Sequence, residues 1–356
     1  MRDEILATLN SYDFEKIKIG TLGSHSALNI LRGAKDEGFE TVCICRNGDE
    51  FVYGNFNVVD HFILVENFRD LLKENLQEKL KKMNVILIPH GSFNAYIGKL
   101  GELTIPIFGN RELMEWEIDR EKQREWLKRA GLKIPKRYNN PNEIEGLAIV
   151  KYPGAKGGKG YFITSGIEDF KEKVEKLMGR GLVTWDEIKR AEIQEYIIGT
   201  NVYFSFFYSP IFRRIELISI DRRYESTADS IGRIPAVDQI KLDLFPTYTV
   251  IGNFPIVLRE SLLNQAFKAA HSVVDVSKEI AYPGMVGAFC LETIFDENAT
   301  MYVFEISARI VAGTNVGIPF SPYSYLIFGE NMYMGRRIAR EIKLGIEKNL
   351  LEDLIY

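Results

Sequence analysis

Phe289-Cys290-Leu291-Glu292-Thr293-Ile294-Phe295, then the polar stretch Asp296-Glu297-Asn298-Ala299-Thr300, then Met301-Tyr302-Val303-Phe304-Glu305-Ile306 read together as one β-hairpin. If Asp296 pairs with Met301 across a four-residue loop, the register sets Glu292 directly opposite Glu305. Opposed residues have Cβ atoms roughly 4.5–5.5 Å apart, and like charges there destabilise a sheet. Two carboxylates persist in such a place when a cation lies between them, and a hard divalent ion suits oxygen ligands best. The competing reading is a surface hairpin with both carboxylates in water. The hairpin alone leaves the two readings level.

The chain around it has 356 residues, 46% hydrophobic and 26% charged, enough for two or more domains and a sizeable core. A net charge of −4 argues against a nucleic-acid surface. No apolar run approaches the length of a membrane span, so neither nucleic acid nor membrane is an expected partner. The N-terminus, Met1-Arg2-Asp3-Glu4-Ile5-Leu6, lacks a secretory apolar region, and the expected location is cytoplasmic. Cys43, Cys45 and Cys290 lie in apolar, strand-like runs without metal-type spacing. They read as buried reduced thiols.

The first hundred residues alternate strand and helix: strands at 16–20, 41–45, 62–65, 85–89 and 105–108, helices at 26–35 and about 68–82. This is the βαβ pattern of a parallel, helix-covered sheet. Ligands of such sheets bind at loops beyond the carboxyl ends of the strands. Two similar loops stand there, Gly23-Ser24-His25-Ser26 and His90-Gly91-Ser92. A helix over about 112–130 leads into a second block with strands at 147–151 and 160–164. A third block from Ala191 carries long aromatic strands, the hairpin and a helix-rich tail from about Tyr323. The fold class is α/β and α+β, with expected units at 1–110, 111–190 and 191–356. Tyr203, Phe204, Phe206, Phe207 and Tyr208 read as core, with self-association left open.

Between the two strands of the second block lies Lys151-Tyr152-Pro153-Gly154-Ala155-Lys156-Gly157-Gly158-Lys159-Gly160-Tyr161. Glycines let backbone N–H groups approach phosphate, and lysines supply charge. A Walker loop is excluded, since no G-x-x-x-x-G-K-[ST] match exists and a strand follows. A dinucleotide fingerprint is excluded too, since it should open a helix. The bland alternative is a flexible hairpin loop with solubilising lysines. Further on, Glu195-Tyr196-Ile197-Ile198 precedes Gly199 as an extended segment that can offer backbone groups to an adenine edge.

These parts, in this order, resemble the ATP-grasp superfamily over roughly 110–325. Asp119-Arg120 and Ala130-Gly131-Leu132-Lys133-Ile134-Pro135 match its helix start and following turn. The resemblance implies an N-terminal pre-ATP-grasp βαβ domain followed by a two-part ATP-grasp domain. It implies ATP contacts from Lys151, Gly154, Lys156, Gly157, Gly158, Lys159, Gly160, Glu195, Tyr196, Ile198 and Glu225. Glu292 and Glu305 become the ligands of Mg2+ or Mn2+. Two positions depart from the pattern. The usual first lysine is replaced by Arg120 or shifted to Lys122, and the usual Glu-x-Asn reads Glu305-Ile306-Ser307.

The Gly-Ser-His and Pro-His-Gly-Ser loops, Arg222-Arg223-Tyr224-Glu225-Ser226, Thr249-Val250-Ile251-Gly252-Asn253 and Glu305-Ile306-Ser307-Ala308-Arg309 narrow the likeness. Over nearly the whole chain they look like the archaeal-type, formate-dependent 5-formaminoimidazole-4-carboxamide ribonucleotide (FAICAR) synthetases. That likeness implies an enzyme, a carbon–nitrogen ligase of purine biosynthesis. It would take ATP, formate and 5-aminoimidazole-4-carboxamide ribonucleotide (AICAR) to FAICAR, ADP and phosphate, through formyl phosphate. Ser24, His25, Ser92, Asn253 and Arg309 would hold the substrate, and Arg309 and Lys151 would be catalytic. Another ATP-grasp carboxylate–amine ligase and a non-catalytic ATP-binding regulatory protein remain as alternatives. A nicotinamide oxidoreductase ranks low, because Gly20-Thr21-Leu22-Gly23 misses the fingerprint.

Overall fold

In a computed structural model, the structure describes residues 2–98, 100–152, 161–241 and 247–356. Strands β1 (Lys18–Leu22), β2 (Glu40–Arg46), β3 (His61–Val65) and β4 (Val85–Leu87) form a parallel sheet in the order β3-β2-β1-β4. The five central residues of β2 are all buried, as expected of a strand covered on both faces. The segment expected as a fifth strand at 105–108 makes only single bridges, Leu87 to Ile107 and Phe108 to Ile355. Arg111 and Pro106 explain this. The buried Arg111 guanidinium takes up the Ile105 carbonyl, with those of Leu100 and Leu103, and Pro106 has no N–H to donate, so the backbone bonds to Leu87 do not extend into a longer ladder.

The long helix expected over 112–130 is two helices, Arg111–Ile118 and Arg120–Arg129. Asp119 divides them: its backbone is extended and its carboxylate caps the second by accepting from the N–H groups of Glu121 and Lys122. The second block is an antiparallel sheet of β5 (Arg137–Tyr138), β6 (Ala148–Lys151), β7 (Tyr161–Thr164) and β8 (Glu192–Glu195), ordered β5-β8-β6-β7. It has its own core, including Tyr138, Val150, Phe162, Phe170 and Val174. Residues of β6 alternate between that core and the opposite face, which carries Ile149 and Lys151.

The third block centres on an antiparallel sheet of β9 (Thr200–Ser209), β10 (Arg214–Glu225), β11 (Val250–Pro255), β12 (Gly287–Phe295) and β13 (Met301–Ser307), ordered β11-β10-β9-β12-β13. Phe204, Phe206 and Phe289 bury one face of it against the helix Glu260–Ile280, so the aromatic run is core. A further core joins both ends of the chain: Ile5, Ile19 and Ile86 pack with Ile338, Ile342 and Leu354. There the helices Ala27–Asp36 and Met334–Glu347 touch backbone to backbone. A Cβ on Gly33 would lie 2.1 Å from the Arg336 nitrogen, and one on Gly335 2.1 Å from the Asn29 carbonyl oxygen.

Candidate active site

The hairpin brings Glu292 opposite Glu305, but not by the simple register. Phe295 pairs with Met301, one residue nearer the turn than expected, which by itself would set Glu292 against Phe304. A β-bulge at Phe304 adds one residue to β13 and restores the opposition of the two glutamates. Asp296 fixes the five-residue turn by accepting from the N–H groups of Asn298 and Thr300.

The pair lies on the floor of a cleft of about 750 Å³ between the small and large sheets. Glu292 is only 3% exposed. Its Oε1 accepts from Arg223 Nη2 at 2.5 Å, and its Oε2 is buried with no partner among the described residues. The charge of Glu292, and then burial, pushes the Glu305 carboxyl up to about 7. Buried polar oxygens are normally bonded. An orphaned carboxylate oxygen facing a second carboxylate is therefore a fitting seat for a divalent cation. Among the described residues no group of three or more His, Cys, Asp or Glu could hold a metal, so the rest of a coordination shell would come from bound phosphate and water. Ser307 is buried opposite Cys290 and does not line the cleft.

From the small sheet Lys151 enters the same cleft and donates to Gln194 Oε1 at 3.0 Å. Burial pulls its ammonium below the ordinary value, against the carboxylates of Glu192 and Glu305. Glu195 and Tyr196 line the cleft, and the Tyr196 N–H is spent on the Leu147 carbonyl. Ile198 is 70% exposed, and Ile197 lines the wall in its place. Glu225 lines the far side, with burial raising its carboxyl against the pull of Arg223. Gly154, Lys156, Gly157, Gly158, Lys159 and Gly160 lie outside the described residues.

Arg309 also reaches the cleft, where it forms an ion pair with Glu117 rather than with either hairpin glutamate. Beside it the two similar loops meet. His25 Nε2 lies 2.5 Å from Ser92 Oγ, and Ser24 Oγ lies 3.0 Å from the Tyr96 hydroxyl. His25 has a φ of 45°, an uncommon conformation outside glycine. Burial, then Arg309, lowers its pKa, so its ring is neutral near pH 7. His90 is fully buried beneath, held on the Leu22 carbonyl. Asn253, opposite Arg223 on β11, donates to Asp221 Oδ2 at 2.7 Å.

Of the other expected features, Arg120 rather than Lys122 faces the cleft, beside Glu192 at 3.8 Å. Arg223, Glu117 and Gln194 line the cleft and Asp221 holds Asn253, and sequence reasoning singled out none of the four. For Arg223 and Asp221 the signal was available. They alternate with Glu225 along β10, and alternation sends all three to one face. Glu117 gave none, because its role depends on a partner 192 residues away.

The fold is that of the ATP-grasp superfamily. An N5-carboxyaminoimidazole synthetase from Staphylococcus aureus, solved with ADP, has this fold with a TM-score of 0.58 at 17% identity, covering 84% of this chain and 71% of its own. A solved IMP biosynthesis protein, PurP, from Thermococcus kodakaraensis is similar with a TM-score of 0.75 and 30% identity, over 95% of this chain and 100% of its own. A 5-formaminoimidazole-4-carboxamide-1-(beta)-D-ribofuranosyl 5'-monophosphate synthetase from Archaeoglobus fulgidus is 68% identical over 356 residues, 100% of this chain and 99% of that one. The models of DUF1297, a domain of unknown function, and DUF1246, a protein of unknown function, match residues 169–356 and 19–138. The chain belongs to the family of 5-formaminoimidazole-4-carboxamide ribonucleotide synthetases.

Proposed function

We infer that this protein is an ATP-dependent ligase that formylates the amine of AICAR with formate, yielding FAICAR, ADP and phosphate in purine biosynthesis. One observation carries the reading: two opposed glutamates, one with an orphaned buried oxygen, share a cleft with Lys151 and Arg309 in a chain of this family. A formate oxygen attacks the γ-phosphorus of ATP and ADP leaves. The AICAR amine then attacks the formyl carbon of formyl phosphate, and phosphate leaves. Most of what such a reaction needs is positioning and charge neutralisation.

Each residue has a matching task. Lys151, on a strand of the small sheet, neutralises phosphate charge from above. Glu292 and Glu305 would hold Mg2+ or Mn2+, which when bound offsets charge on the phosphates. Arg309, steadied by Glu117, faces the acyl phosphate. His25 and Ser92 contact the ribonucleotide at the carboxyl ends of β1 and β4, in reach of the cleft through the helix Phe93–Ile97. Asn253 is held with its amide nitrogen on Asp221, which leaves its carbonyl oxygen to accept from the substrate. No described helix is long and apolar enough to cross a membrane, in keeping with a cytoplasmic enzyme of small-molecule substrates.

ADP release should require AICAR and formate together. Oxygen from labelled formate should appear in the released phosphate. Release without formate would overturn the ligase reading, and unlabelled phosphate would overturn the formyl phosphate step.

A further inference from the structure

The cleft holds five described cations, and four are engaged elsewhere. Arg120 lies beside Glu192, Arg124 donates to the Pro135 carbonyl, Lys151 to Gln194 and Arg309 to Glu117. Arg223 alone is bonded to the hairpin acids. Its guanidinium lies 4.1 Å over the Tyr203 ring and donates to Glu292 Oε1 at 2.5 Å. Tyr203 pairs with Glu292 on one side and with Asp221 on the other, so the ring fills the step between Arg223 and Glu292. This stacking fixes the arginine, and the arginine fixes which oxygen of Glu292 stays free.

A buried carboxylate beside a second carboxylate does not persist without a compensating charge. We propose that Arg223 is the resident counter-ion of the Glu292–Glu305 pair, holding the two carboxylates in place until a divalent cation takes over from it. This rests on the reading of the pair as a metal seat. It makes Arg223 a positioning residue, and the cation competes with it for Glu292.

The test uses the full chain without nucleotide. In EDTA, Arg223→Met should lower the thermal midpoint, Arg223→Lys should stay near the parent, and adding Glu292→Gln to Arg223→Met should recover most of the loss. Should Arg223→Met fail to fold, recovery of a folded chain in the double variant gives the same answer. Additive losses, or no recovery, overturn the proposal. Mn2+ titration followed by electron paramagnetic resonance gives a second readout. Arg223→Met should bind Mn2+ roughly tenfold more tightly than the parent, since a unit charge a few ångströms away is worth at least that at a protein edge. Equal or weaker binding overturns the proposal. If neither protein binds Mn2+ while the unfolding cycle still shows recovery, the metal reading falls and the counter-ion stands.

Discussion

Glu117 and Arg309 form a largely buried ion pair that joins the helix Arg111–Ile118 to the chain just beyond β13, and the same carboxylate accepts from the Ala308 N–H at 2.8 Å. The arginine proposed to face the acyl phosphate is thus held by a residue that need not touch substrate. Burial raises the Glu117 carboxyl while Arg309 pulls it down. Glu117→Gln keeps the bond to Ala308 but frees the guanidinium. Losing a buried charged bond should cost about 1–3 kcal/mol in urea unfolding. In steady-state kinetics it should lower kcat more than it raises the KM for ATP.

Glu292→Gln and Glu305→Gln should each abolish metal-dependent ADP release with an unchanged circular dichroism spectrum. Each removes a carboxylate from the opposed pair without removing volume. Parental turnover in either variant would remove the hairpin from the site.

Asp221 predicts a pH dependence. Burial pushes its carboxyl up to about 7, with Asn253 and Arg223 pulling the other way. The folded state then holds a proton that the unfolded chain releases above the ordinary value of 3.8. Its contribution is present at low pH and is lost as pH rises from about 4 through about 7. Asp221→Asn should flatten the fall in stability across that window, read as the difference from the parent in urea unfolding. His90 works in the opposite sense. Burial, then His25, lowers its pKa to about 3, so its stabilisation is lost as pH falls below 6.5. His90→Asn should therefore change the slope with the other sign.

Gly199 lies where the small sheet hands the chain to β9. A Cβ there would sit 2.2 Å from the Phe295 carbonyl oxygen, which is backbone and cannot swing aside. Gly199→Ala should cost about 1–3 kcal/mol, as overpacking does. Differential scanning calorimetry would show it, and an unchanged midpoint would mean that the strands part freely.

The βαβ sheet and the opposed glutamates were legible in the sequence because alternation and register are local rules. The bulge at Phe304 was not, since nothing in Val303-Phe304-Glu305 marks an extra residue. The expected pairing was reached through a different turn, the two errors offsetting each other. The break at Asp119 was visible as a cap signal, yet the run of helix formers on both sides hid it. Arg111 took up the Ile105 carbonyl that a longer ladder would use, and Glu117 found Arg309 across the fold. Both are side-chain choices that no local pattern carries.

Gly33 and Gly335 bear on how the chain is made. Because their two helices meet without side chains between them, no other segment can stand in for the second helix. A chain emerging from the ribosome has its parallel sheet and first helix in hand long before Met334–Glu347 exists. Ile5, Ile19 and Ile86 must wait for Ile338, Ile342 and Leu354 to cover them. The earliest part of this protein is therefore among the last to finish folding, and a synthesis stalled before the final helix leaves apolar surface bare to aggregation.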